Sequence, residues 1–133
     1  MRKRILLIED QAEIRKLIRM TLEFEYYEIH EAANATEALA AIERLRPELV
    51  LLDIMMPGGM NGLDLCRLIK SDPALQAIQV VMLSARGQSQ DIEAGFKAGA
   101  NAYLVKPFSA RELIVSVDSM GAQCSEIAQP DGE

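Results

Sequence analysis

Two features of this 133-residue chain point to a doubly wound α/β fold, with five parallel strands in one sheet and five helices flanking it on both faces. The first is a set of four short, continuous apolar runs: Ile5-Leu6-Leu7-Ile8, Leu49-Val50-Leu51-Leu52, Val80-Val81-Met82-Leu83 and Tyr103-Leu104-Val105. Runs of this length without polar alternation are the pattern of strands buried on both faces. The second is that helical periodicity fills the segments between them, so the chain reads as strand and helix in strict alternation. Each strand-helix-strand crossover is expected to be right-handed, which puts helices on both faces of the sheet.

The elements follow in order. After the first run, Ile14, Leu17, Ile18 and Leu22 mark an apolar stripe on a helix from about Gln11 to Glu25. Tyr27-Glu28-Ile29-His30-Glu31-Ala32 alternates like a strand, and the lone histidine, His30, is expected on the strand surface. Leu39, Ile42 and Leu45 mark the second helix, which ends where Pro47 opens the third strand. The third helix, roughly Asn61 to Lys70, carries Leu65, Cys66, Leu68 and Ile69 and stops at Ser71-Asp72-Pro73. Ile92 and Phe96 define a fourth, closed by Gly99. Ser109-Ala110-Arg111-Glu112 is a capping box that starts the fifth, which is expected to bury some of Leu113, Val117 and Met120. The domain is expected to span residues 1–120. From Gly121 the pattern is lost, and residues 121–133 read as a flexible tail or the start of a linker.

Composition narrows the function classes. A formal charge of −6, with basic residues grouped only at Arg2-Lys3-Arg4, argues against direct nucleic-acid or membrane-surface binding. No run approaches the ~18 apolar residues of a membrane span, and the start lacks a signal peptide, so a cytoplasmic protein is expected. Cys66 and Cys124 have no close Cys or His companion and read as free thiols.

The chemistry lies at the ends of the strands. The apolar runs deliver Glu9-Asp10, Asp53, Ser84 and Lys106 at their carboxyl ends, where open parallel sheets bind ligands. Clustered carboxylates repel one another, so either their pKa values rise or a cation sits among them. Magnesium suits such a cluster, because it binds through one or two carboxylates and keeps several waters; the Met55 carbonyl is a natural further ligand. Asp53 is the best nucleophile on offer, since a carboxylate can form an acyl phosphate. Ser84 would then donate to a phosphoryl oxygen, and Lys106 would neutralise the incoming charge. Lys106-Pro107 is a candidate cis peptide.

Five strings in order now resemble the receiver domain of a two-component response regulator, from about Lys3 to Met120. They are Ile5-Leu6-Leu7-Ile8-Glu9-Asp10, Leu51-Leu52-Asp53-Ile54-Met55-Met56-Pro57-Gly58, Asn61-Gly62-Leu63-Asp64-Leu65, Leu83-Ser84-Ala85 and Gly99-Ala100-Asn101-Ala102-Tyr103-Leu104-Val105-Lys106-Pro107-Phe108. The resemblance implies a flavodoxin-like sheet in the order 2-1-3-4-5. It implies that Asp53 accepts a phosphoryl group from a sensor histidine kinase or a histidine phosphotransfer protein. Mg²⁺ would be held by Glu9, Asp10, Asp53 and the Met55 carbonyl. Ser84 and Tyr103 match the family's switch pair and Lys106 its lysine. Such a chain assists only its own phosphorylation and dephosphorylation, and is not otherwise an enzyme. In proteins it resembles, the residues at the positions of Met55 and Arg86 border the path of the hydrolysing water, so slow self-dephosphorylation is expected here.

The sequence departs from the family pattern in three places. The loop Gly58-Gly59-Met60-Asn61-Gly62 is one residue longer than the common form, with Asn61 where an acid is frequent. Asn101-Ala102 stands where DNA-binding regulators of the winged-helix subfamily usually have two aspartates, and Ile114-Val115-Ser116-Val117-Asp118-Ser119 lacks the arginine usual there. A homodimer through the fourth helix, last strand and fifth helix would therefore lack that subfamily's salt bridges. The expected output is a switched surface on those same elements, acting on a downstream protein or an output domain that the sequence does not identify. A phosphatase of the haloacid-dehalogenase kind needs a second Asp two positions after the nucleophile, where Met55 stands. A phosphorylation-independent adaptor of the same fold is the remaining alternative, and the full set of acids, hydroxyl and lysine speaks against it.

Overall fold

The computed structural model describes residues 3–23, 27–56 and 60–125, with side chains described as far as residue 119. Five strands alternate with five helices: β1 (Arg4–Ile8), α1 (Ala12–Glu23), β2 (Glu28–Ala32), α2 (Ala35–Leu45), β3 (Leu49–Asp53), α3 (Gly62–Ser71), β4 (Gln79–Ser84), α4 (Ser89–Lys97), β5 (Ala102–Val105) and α5 (Ala110–Ser125). All strand pairs are parallel, and the sheet order is β2-β1-β3-β4-β5.

The two-residue period of a strand divides the core in two. Leu6, Ile8, Val50, Leu52, Val80 and Met82 point to one face and pack with Ala38 and Ile42 of α2 and Leu65 and Ile69 of α3. Ile5, Leu7, Leu49, Leu51, Val81 and Leu83 point to the other, against Ile18 and Leu22 of α1 and Leu113 and Val117 of α5. Every residue of β3 is buried, which is why that segment has no polar alternation until Asp53.

Helix ends are set by local chemistry. Asn34 accepts from Glu37 N–H at 2.9 Å to start α2, and Asn61 and Asp64 form a reciprocal box that starts α3. The expected box at α5 is present: Glu112 N–H donates to Ser109 Oγ at 3.0 Å, and Ser109 N–H to Glu112 Oε1 at 2.9 Å. Beyond α4 the chain turns at Gly99, whose φ of +111° would strain any side chain.

Some details differ from the sequence reading. Leu17, placed on the buried stripe, is 60% exposed, because α1 turns only Ile18 and Leu22 fully onto the sheet. Phe96 of α4 is likewise exposed. Helix α5 continues through Ser125, past the point where the apolar pattern ends, since Gly121 lowers helix propensity by only about 1 kcal/mol and no proline follows before Pro130. The expected end of α1 at Glu25, residues 57–59 of the longer loop, the side chains of Met120 and Cys124, and residues 126–133 lie outside the described residues. Cys66 is a buried free thiol on α3, and His30 pairs with Glu28 at 2.7 Å on the surface of β2. Among the described residues no helix is long and apolar enough to cross a membrane.

The contrast on α1 is measurable. Ile18→Ala should destabilise the protein by about 2–5 kcal/mol in urea unfolding, whereas Leu17→Ala should stay within about 0.5 kcal/mol of the parent. Equal losses would show that α1 packs with a different face.

Candidate functional site

The register of the three central strands brings their ends to one level. Ile8 lies beside Leu52, Leu52 beside Met82, and Asp53 beside Leu83. The polar residues that follow each run therefore meet above the carboxyl edge of the sheet. Ligating oxygens of Glu9, Asp10 and Asp53 all lie within 4.8 Å of one another; Glu9 and Asp53 are buried and Asp10 is exposed. An all-oxygen set with one open side fits a small, hard divalent cation that keeps part of its water.

Lys106 reaches the cluster from the residue after β5. Its Nζ is 2.8 Å from Glu9 Oε1 and 3.6 Å from Asp53 Oδ2. Its backbone N–H donates to the Ser84 carbonyl at 2.7 Å, which ties the ends of β4 and β5 together. The Lys106–Pro107 peptide is cis. Asp53 Oδ1 accepts the Met55 N–H at 3.2 Å, while the Met55 side chain is exposed.

The Asp53 carboxyl is pushed from its ordinary 3.8 up to about 7, first by burial and next by the negative charge of Glu9; Lys106 pulls the other way. One ammonium shared between two buried carboxylates does not offset both.

Ser84 ends β4 fully buried, and its Oγ accepts the Arg86 N–H at 3.0 Å. Tyr103 does not join the acidic cluster. It stands beside Met82 on β5, and its hydroxyl donates to the Arg86 carbonyl at 2.8 Å. The two side chains thus bond the same residue, one at each of its backbone groups.

Two contributors are not evident from the site residues alone. A Cβ on Gly62 would fall 2.4 Å from the Asp53 carbonyl oxygen and 2.6 Å from Ile54 Cα, so only glycine lets α3 start against the Asp53–Ile54 backbone. Its place after Asn61 was legible as a helix start, but the close approach was not. Arg15 of α1 donates Nη1–H to the Glu9 carbonyl at 2.7 Å, a contact to which no motif points. Beside Lys106, Ile14, Leu17, Ala85, Pro107 and Phe108 line an open apolar hollow of about 360 Å³.

With this geometry in place, the class can be stated: the chain belongs to the response regulator receiver domain family, whose model matches residues 5–118. Among particular relatives, it is 42% identical over 92% of its length to the transcriptional regulatory protein ResD of Bacillus subtilis. It is 39% identical over 88% of its length to the DNA-binding response regulator MtrA of Mycobacterium tuberculosis. The chain spans about half the length of these curated relatives, 50% in each case. Among solved structures, a CheY-like response regulator receiver domain protein from Methanospirillum hungatei superposes with a TM-score of 0.87 at 30% identity, covering 96% of this chain and 100% of that one.

The raised Asp53 pKa has a consequence for the metal-free protein. Between about pH 4 and about pH 7 the native state holds a proton that the unfolded state has lost, so stability falls as pH rises through this window and levels off above it. The loss should be on the order of a few kcal/mol. Melting in chelator should show it, and Asp53→Asn should flatten the profile. A parent protein whose stability rises from pH 4 to pH 7 would contradict this electrostatic reading.

Proposed function

We propose that this chain accepts a phosphoryl group on Asp53 from a sensor histidine kinase or a histidine phosphotransfer protein, and that the modification switches a protein-interaction surface. The observation that carries the reading is Asp53 itself: 3% exposed, at the end of the central strand, grouped with Glu9 and Asp10, and 3.6 Å from Lys106. In the transfer, an ionised Asp53 oxygen attacks phosphorus, the bond from phosphorus to the donor imidazole breaks, and the imidazole leaves with that electron pair.

Glu9, Asp10, Asp53 and the Met55 carbonyl would hold Mg²⁺, which offsets the negative charge gathered during transfer. Met55 N–H keeps Asp53 Oδ1 oriented, leaving Oδ2, 3.6 Å from Lys106 Nζ, to take the phosphoryl group. Lys106, at present nearer Glu9 than Asp53, supplies the positive charge for a phosphoryl oxygen. Ser84 gives up the Arg86 N–H and donates its hydroxyl to the phosphoryl group. Because Tyr103 holds the carbonyl of that same Arg86, a change at Ser84 reaches the α4-β5 surface through one residue. Met55 and Arg86 are both exposed on the acceptor side, where they would set the rate of hydrolysis.

The wider role follows the relatives. A cytoplasmic regulator, with residues 1–120 as its receiver domain and 121–133 leading away from it, would pass the signal to an output domain or a separate protein. Nucleic acid, where bound at all, would be bound by that output part rather than by this acidic domain, whose sequence carries a net charge of −6. Exposed Phe96, Val105 and Val115 favour a contact through α4, β5 and α5, with a second copy or with the output partner.

The acceptor assignment is tested by intact mass after incubation with Mg²⁺ and a small acyl phosphate. The parent should gain one phosphoryl group, and Asp53→Asn, or parent in excess chelator, should gain none. Uptake in either control would reject the assignment, and no uptake by the parent would favour the phosphorylation-independent adaptor. Ser84→Ala should still accept phosphate but lose most of the change in amide exchange across residues 87–108. Equal changes with and without the hydroxyl would remove Ser84 from the switch.

A further inference from the structure

We infer that Arg15 is a positioning residue for the acidic pair, holding the Glu9–Asp10 peptide in the orientation that lets both carboxylates face one cation. The guanidinium bridges two elements. Its Nη1–H donates to the Glu9 carbonyl at 2.7 Å, and its Nε–H donates to Glu31 Oε1 at 3.0 Å. The Glu9 N–H donates to the Ala32 carbonyl at 3.1 Å. Both backbone groups of Glu9 are thus referred to neighbouring residues of β2, the amide directly and the carbonyl through Arg15. With the carbonyl held, the plane of the peptide that joins Glu9 to Asp10 is set, and with it the direction in which Asp10 leaves the strand.

The anchor is itself braced. Arg19, one turn further along α1, donates Nη1–H to the second oxygen of Glu31 at 2.5 Å. Burial raises the Glu31 pKa, but the bonds from Arg19 and Arg15 outweigh it and hold the carboxyl below its ordinary range, so the anchor stays ionised. The Arg15 side chain is only 20% exposed, which restricts the guanidinium to this geometry. Partners behind metal ligands typically change metal affinity by about 10- to 100-fold when removed.

The inference rests on the phosphoacceptor reading, and the sign of one effect tests it. If Arg15 acted only as a nearby positive charge, removing it would relieve repulsion and tighten cation binding. A positioning role gives the opposite sign. Arg15→Met keeps the apolar stem and removes the guanidinium, and should weaken Mg²⁺ binding to the full chain by roughly tenfold in calorimetric titration. Arg15→Lys, which can still donate to the carbonyl, should recover part of the loss. Arg15→Gln also removes the charge, and its shorter side chain cannot span from Glu31 to the Glu9 carbonyl, so it should weaken binding in the same direction and gives a second route should Arg15→Met fail to fold. Melting in chelator checks that each variant is folded. Unchanged or tighter Mg²⁺ binding in folded Arg15→Met or Arg15→Gln overturns the inference while leaving Asp53 as acceptor. If the parent binds no Mg²⁺, the phosphoacceptor reading fails together with it.

Discussion

The rest of the site depends on one constraint: carboxylates from two adjacent strands are held close together with a single lysine to balance them. Two unit charges about 4 Å apart interact by about 4 kcal/mol at an effective dielectric constant near 20. That is a large share of a stability that for such domains is only about 5–15 kcal/mol. Glu9 and Asp53 cannot move apart, because β1 and β3 are paired in register up to Ile8 and Leu52 and are buried on both faces. The repulsion is therefore met by protonating Asp53, by a cation in the open side at Asp10, or by Lys106. Lys106 is drawn to Glu9 at 2.8 Å and stands 3.6 Å from Asp53.

The remaining geometry keeps that arrangement rigid and leaves one edge held by few bonds. Gly62 lets α3 begin against the backbone of Asp53 and Ile54, and the Gly62 N–H donates to the Ile54 carbonyl at 2.9 Å. On the other side, Arg15 and Ala32 hold Glu9 from α1 and β2. The loosely held edge lies after β4. There the buried Ser84 hydroxyl and the half-buried Tyr103 hydroxyl both hold Arg86 in an otherwise exposed stretch, residues 85–90. Few bonds need to change for that segment to take a second arrangement, which suits a switch whose states differ by only a few kcal/mol.

The strands were legible because β1, β3 and β4 are buried on both faces, which leaves an unbroken apolar signature that stops where the polar cluster at the carboxyl edge of the sheet begins. The same stop announced Glu9, Asp53 and Ser84; Lys106 follows β5, an edge strand that was expected to be buried on both faces but whose Val105 is exposed, because only β4 pairs with it. Short-range helix chemistry was equally readable, as the Ser109-Glu112 box shows. Contacts between elements were not. Nothing in the spacing of Ile14, Leu17 and Ile18 says that the stripe is narrow enough to leave Leu17 in solvent. Arg15 looks like one more solvated base on α1, because its partners, the Glu9 carbonyl and Glu31, depend on how β1 and β2 pair. The need for glycine at position 62 depends on where the loop returns to the sheet.

The central claim is that the cluster is built to receive a cation and a phosphoryl group, with Lys106 lent to Glu9 in their absence. A crystal structure with Mg²⁺ and beryllium trifluoride, an unreactive stand-in for the phosphoryl group, tests it most directly. We expect the beryllium on an Asp53 oxygen, the ion shared with the Glu9-Asp10 pair, and Lys106 Nζ moved from Glu9 onto a fluorine, with the Ser84 hydroxyl turned to another. A bare Asp53 with Lys106 still on Glu9 at saturating Mg²⁺ and beryllium trifluoride would contradict it.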